Sequence, residues 1–145
     1  MTNTSPSSPA AILTVCSTCT DTAAAGEAGI GGGARLLALL SERHADAPQR
    51  ERVEIRGNRC LMACTEGCIV ALSQPGKMQY LLGRWPAEAD SADAILAFAQ
   101  QYAASASGVV PNADWPPLVA MRFLGRIPPT DPAAGVDWRD DGCDL

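Results

Sequence analysis

Arg52-Val53-Glu54-Ile55-Arg56-Gly57-Asn58-Arg59-Cys60-Leu61-Met62-Ala63-Cys64-Thr65-Glu66-Gly67-Cys68-Ile69-Val70-Ala71-Leu72-Ser73 is the stretch on which the fold turns. Its first five residues alternate apolar and charged, as a half-exposed strand does. Near its end Ile69-Val70-Ala71-Leu72 form an apolar run, as a buried strand does. Between them stands C-x-x-x-C-x-x-x-C, a cysteine loop joining two strand ends. A second group precedes it by about forty residues: Cys16 and Cys19 form C-x-x-C directly after the apolar run Ala11-Ile12-Leu13-Thr14-Val15. Five of the six cysteines therefore stand where strands end, which marks a metal or redox site rather than scattered core thiols.

Working outward, Ile12 to Val15 reads as a buried first strand, and Thr20 to Gly33 as a loop of small residues. Ala34 to Ala45 carries Leu36, Leu37, Leu39 and Leu40 at helical spacing, with Pro48 as a stop. Ile69 to Ser73 and Met78 to Leu82 flank Gln74-Pro75-Gly76-Lys77, a turn that makes them a β-hairpin. Asp90 to Ala104 places Ile95, Leu96, Phe98, Ala99 and Tyr102 on one helical face, with Asp90, Ser91 or Asp93 as its N-cap. Strand, helix and strand make a βαβ unit with parallel strands. Adding a hairpin and a closing helix predicts an α/β sandwich of thioredoxin type, with a small mixed sheet and flanking helices. Val109 to Pro129 is punctuated by prolines around Leu118-Val119-Ala120-Met121 and Phe123-Leu124. It reads as irregular chain that lies over the domain or pairs with a neighbouring copy. The expected organisation is a disordered lead-in at 1–10, a cluster-binding domain at 11–130 and an acidic flexible tail at 131–145.

Composition narrows the classes. A chain of 145 residues buries enough surface to fold as one domain without disulfides. Eleven basic against 16 acidic residues give a net charge of −5, which disfavours nucleic acid as a partner and suits docking on a basic protein surface. No leader pattern and no long apolar run is present, so a cytoplasmic, reducing location off the membrane is expected, where clustered thiols bind metal or react.

Cys60 and Cys64, spaced i, i+4, would point the same way on a helical turn, about 6 Å apart along the axis. Two sulfurs from each loop make four soft ligands, suited to zinc or an iron–sulfur cluster. Thioredoxin-style exchange at Cys16 and Cys19 fits less well, because a Gly/Ala loop follows instead of the helix whose dipole would activate a thiol.

The order of strand, cysteine loop, helix, strand, Cys60-Leu61-Met62-Ala63-Cys64-Thr65-Glu66-Gly67 and hairpin resembles the thioredoxin-like [2Fe–2S] ferredoxins. Their second ligand pair lies in such a loop, and Cys68 stands where proline is common. Gly83-Arg84-Trp85-Pro86, Phe98 to Tyr102 and Gly125 to Pro129 resemble, more narrowly, a bacterial family of predicted metal-binding proteins often encoded near cobalamin-synthesis genes. The resemblance implies a [2Fe–2S] cluster on Cys16, Cys19, Cys60 and Cys64. Cys68 is the alternative fourth ligand, because the ferredoxins space their first pair more widely than Cys16 and Cys19. It further implies a one-electron carrier rather than an enzyme, a redox partner protein and a homodimer, for which Leu118 to Leu124 offers a surface. The extra Cys68 keeps open a second class, a zinc- or iron-handling or redox-sensing protein.

Other candidates are lesser. Arg56 and Arg59 could place positive charge near an anionic cluster or simply be solvated. Gly29 to Gly33 lacks the Lys-Ser/Thr of a phosphate loop. His44 suits the C-terminal end of a helix, Trp85, Trp115 and Trp138 suit packing, and Cys143 reads as a spare thiol.

Overall fold

A computed structural model describes residues 10–18, 32–62 and 67–130. The expected lead-in and tail, most of the Gly/Ala loop, Cys19, Cys64, Trp138 and Cys143 lie outside these residues. The strands are β1 (Ala11–Cys16), β2 (Val53–Asn58), β3 (Val70–Ser73), β4 (Gln79–Leu82) and β5 (Phe123–Ile127), and the α-helices are α1 (Gly32–Ala45), α2 (Ala89–Ala104) and α3 (Pro117–Arg122). One sheet runs in the order β2-β1-β3-β4-β5. β1 and β2 are parallel, joined through α1, and the remaining pairs are antiparallel. This is the mixed α/β architecture of a thioredoxin-like fold.

Local chemistry explains each element. In the hairpin turn Lys77 N donates to Gln74 O at 3.0 Å, and Gly76 sits at φ 78°. Proline then glycine is the pairing that a type II turn requires. Leu36 and Leu40 of α1 are fully buried, with Leu37 and Leu39 partly so. Ile95, Phe98, Ala99 and Tyr102 of α2 are fully buried, and α1 and α2 pack on each other and on β1. On β1 the side chains of Leu13 and Val15 are buried while Ile12 and Thr14 are half-buried. No helix among the described residues is long and apolar enough to cross a membrane.

Three expectations need correction. The segment Val109 to Pro129 is irregular only in part: Pro117–Arg122 form α3 and Phe123–Ile127 form β5, which pairs with β4 through Leu82↔Phe123 and Gln79↔Ile127. Pro116 and Pro117 start the helix rather than preclude it, because proline's fixed φ suits a first helical turn. Within this segment Val119 is fully buried, Leu118, Phe123 and Leu124 are partly buried against the core, and Met121 is exposed. α1 begins two residues earlier than expected, at buried Gly32 and Gly33. Finally, α2 is capped by Glu88 without a side-chain hydrogen bond. Asp93 instead pairs with Arg43 of α1 at 2.8 Å, and Ser91 is buried.

An aromatic cluster ties the C-terminal segment to this core. Tyr80 meets Phe98 and Tyr102 edge-on, with centroids 5.2 and 5.8 Å away. Its hydroxyl accepts from Val110 N at 3.1 Å, and Trp115 Nε1 donates to Val110 O at 2.7 Å. Tyr102 donates to Met78 O at 2.6 Å. Burial, reinforced by Tyr80 and partly offset by the Gln74 backbone, pushes the Tyr102 phenol well above its ordinary 10.0. The last turn of α2 has no basic residue. Lys77 from the hairpin turn supplies the cation there, its Nζ donating to Ala103 O at 3.2 Å, as a cation at a helix C-terminus does favourably. Burial lowers its pKa from the ordinary 10.5.

These shifts make alkaline stability predictable. The raised folded pKa of Tyr102 means that its stabilisation is complete below pH 10 and is lost as pH rises further, when the unfolded chain ionises first. Lys77 acts with the opposite sign: its depressed folded value makes stability rise as pH climbs toward 10.5. Urea unfolding in a pH series should therefore show stability level or slightly rising to about pH 10 and falling above it. Tyr102→Phe should flatten the fall; an equal fall in that variant would assign it elsewhere.

Candidate metal centre

The centre is built by the position of β1 between β2 and β3. The β1–β2 register ends with Cys16 opposite Asn58, and Cys16 N donates to Ile69 O at 3.0 Å on the other side. Neighbouring strands lie about 4.7–4.9 Å apart. The end of β1, the end of β2 and the start of β3 thus share one edge of the sheet. Cys60 follows β2 by two residues and Cys68 precedes β3 by two.

Each cysteine has a different setting. Cys16 closes β1 and is fully buried, with its Sγ 3.9 Å from Thr18 Oγ1. Cys60 is exposed. Its Sγ accepts from Met62 N at 3.3 Å and donates to Met62 Sδ at 3.6 Å. Cys68 is fully buried, and its carbonyl accepts from Trp85 N at 3.3 Å. The helical turn expected from Cys60 to Cys64 is not formed at its start. Met62 has φ 59°, its N–H turns back to the Cys60 sulfur, and it is 87% exposed.

Arg56 forms an ion pair with Glu54, both side chains more than half exposed, so its charge is shared with a carboxylate. Arg59 contributes its carbonyl, which accepts from Thr18 Oγ1. His44 lies in the last turn of α1.

The donors suit a soft metal group. Three thiols share one sheet edge, and one sulfur already accepts a backbone N–H. Trp85, whose backbone N–H donates to the Cys68 carbonyl, is fully buried, and its indole Nε1–H has no acceptor among the described residues. Leaving a buried donor unpaired costs about 1–3 kcal/mol. Among the described residues no three His, Cys, Asp or Glu side chains come together as a metal site; Cys19 and Cys64 are outside that set. Spacing alone did not single out Ser17, Thr18 and Asn58, which tie the two loops together. The only sequence signal was polar residues next to cysteines.

The sequence profile of the family described as "Protein of unknown function (DUF1636)" matches residues 13–129. No curated protein matches the chain. Among solved structures the fold is similar to that of a thioredoxin-like [2Fe–2S] ferredoxin from Aquifex aeolicus, with a TM-score of 0.53. The match spans 85% of this chain and 98% of that one at 17% identity. At that identity the likeness is one of fold.

Proposed function

The chain belongs to the family described as "Protein of unknown function (DUF1636)", and from that premise we propose that it is a one-electron carrier of ferredoxin type. Cys16, Cys19, Cys60 and Cys64 would hold a [2Fe–2S] cluster, with Cys68 as the alternative fourth ligand. The observation that carries this reading is the placement of Cys16 at the end of β1, between the strand ends that bear Cys60 and Cys68.

When bound, the cluster supplies a one-electron couple at iron. The chain supplies the rest. Buried Cys16 anchors the inner side. The N–H of Met62 faces the Cys60 sulfur, where donors favour the more negative state and raise a potential. Exposed Cys60 and Met62 form the open side at which a partner would approach. The net charge of −5 would steer the protein to a basic docking surface, with an encounter rate that falls as salt rises.

A cytoplasmic carrier working as a homodimer in corrin or cobalt metabolism is the finer form of the proposal. The corrin or cobalt link rests on the family resemblance of Gly83 to Pro86, Phe98 to Tyr102 and Gly125 to Pro129, and the homodimer on the ferredoxin resemblance. A second reading, a zinc- or iron-handling or redox-sensing protein, is favoured by Cys68, a further buried sulfur at the same edge.

Anaerobic purification tests the two. A carrier should be red-brown and contain about two irons and two sulfides per chain. Colourless protein with one stoichiometric zinc would replace the carrier by the second reading.

A further inference from the structure

The first cysteine loop is fastened to the second by side chains, beyond the point where the sheet stops. β1 and β2 end their register at Cys16↔Asn58. Ser17 N and Ser17 Oγ then both donate to Asn58 O, at 2.8 and 3.1 Å. Thr18 Oγ1 donates to Arg59 O, and Asn58 Nδ2 reaches forward to Cys60 O at 3.1 Å. Three consecutive carbonyls, those of Asn58, Arg59 and Cys60, are thereby all satisfied, two of them from the first loop. Thr18 Oγ1 also lies 3.9 Å from Cys16 Sγ, so one hydroxyl neighbours both a cysteine sulfur and the backbone beside the other cysteine.

These bonds are exposed, where water competes and each adds little net stability. Their value is in register. We infer that Thr18 and Asn58 are positioning residues, a latch that fixes Cys60 relative to Cys16 so that both sulfurs can hold one metal group. The metal-binding consequence rests on the proposed function; the latch itself does not. A ligand pair on a loosened loop would bind in a less preorganised geometry and release its metal sooner, as residues behind metal ligands generally affect affinity about 10–100-fold.

The test uses the full chain with Thr18→Val, which keeps shape and removes the hydroxyl, Thr18→Ser, which restores it, and Asn58→Ala. In metal-free protein, hydrogen exchange at Met62 N and Ser17 N should accelerate in Thr18→Val and Asn58→Ala, while exchange at Cys16 N, bonded to the β3 side, stays unchanged. The thermal midpoint should hold within about 2 °C, as expected for exposed substitutions. Thr18→Ser should exchange like the parent. In anaerobically loaded protein, Thr18→Val and Asn58→Ala should lose iron to an excess of chelator about tenfold faster than the parent, or more. Unchanged exchange in the metal-free variants refutes the latch whether or not the parent binds metal. Accelerated exchange with unchanged iron release refutes its role in metal holding. A parent that takes up no metal overturns the proposed function while the exchange result still decides the latch.

Discussion

Gly108→Ala should lower the thermal midpoint by roughly 10 °C or more. Gly108 sits at φ +81°, and a Cβ there would lie 2.8 Å from Lys77 Cβ and 2.9 Å from both Met78 N and Met78 O. Two of these three neighbours are backbone atoms and cannot rotate away. Met78 N is already bonded to Ser107 O at 2.9 Å, and Met78 O to Tyr102 Oη at 2.6 Å. Relieving the clash would therefore pull on the hairpin, the end of α2 and the Tyr102 hydroxyl together. Backbone strain at positive φ contributes about 1–3 kcal/mol and overpacking a similar amount, so about 2–6 kcal/mol is expected in all. Differential scanning calorimetry measures it. A midpoint within about 2 °C of the parent would show that this segment yields more easily than its contacts imply.

Cys60→Ser should remove metal binding almost completely while leaving the metal-free fold intact. Cys60 is exposed, and among the described residues its thiol hydrogen-bonds only to Met62, so an oxygen there should cost the apo-protein no more than about 0.5 kcal/mol. As a ligand the change is severe, because a soft thiolate is replaced by a hard, poorly ionised hydroxyl. Iron should fall from about two per chain to near zero, with an unchanged circular dichroism spectrum. Cys64→Ser should do the same. Cys16→Ser is a less clean test, because a hydroxyl in its fully buried position carries a desolvation cost of about 1–3 kcal/mol even without metal. Full iron loading of Cys60→Ser would remove Cys60 from the ligand set.

Most of the sheet was legible because its signals are local. The Arg52 to Arg56 alternation, the Pro75-Gly76 turn and the Leu36/Leu40 and Ile95/Phe98/Tyr102 spacings each fix their own element, and the order of elements fixes β1 beside β2. β5 and α3 were not legible. Their prolines read as breakers until Pro117 is seen at the first turn of a helix, and Phe123 to Ile127 gains its strand character only by pairing with β4. The cap of α2 was obscured for a similar reason, since Asp93 serves a tertiary partner, Arg43. At the candidate centre the spacing pointed to the cysteines and to the edge they share. It carried no information on their differing exposure, on the positive φ at Met62, or on the bonds from Ser17 and Thr18 to residues forty positions away.

On the proposed function, a cluster at these cysteines takes up and returns an electron while keeping its metal. The decisive measurement is an anaerobic reductive titration of the as-purified protein, followed by visible absorption and electron paramagnetic resonance. A carrier should take up one electron per cluster, give a paramagnetic reduced state, and recover the oxidised spectrum fully on reoxidation with iron and sulfide still bound. Release of iron on reduction, or a bound metal with no redox response, would overturn the carrier.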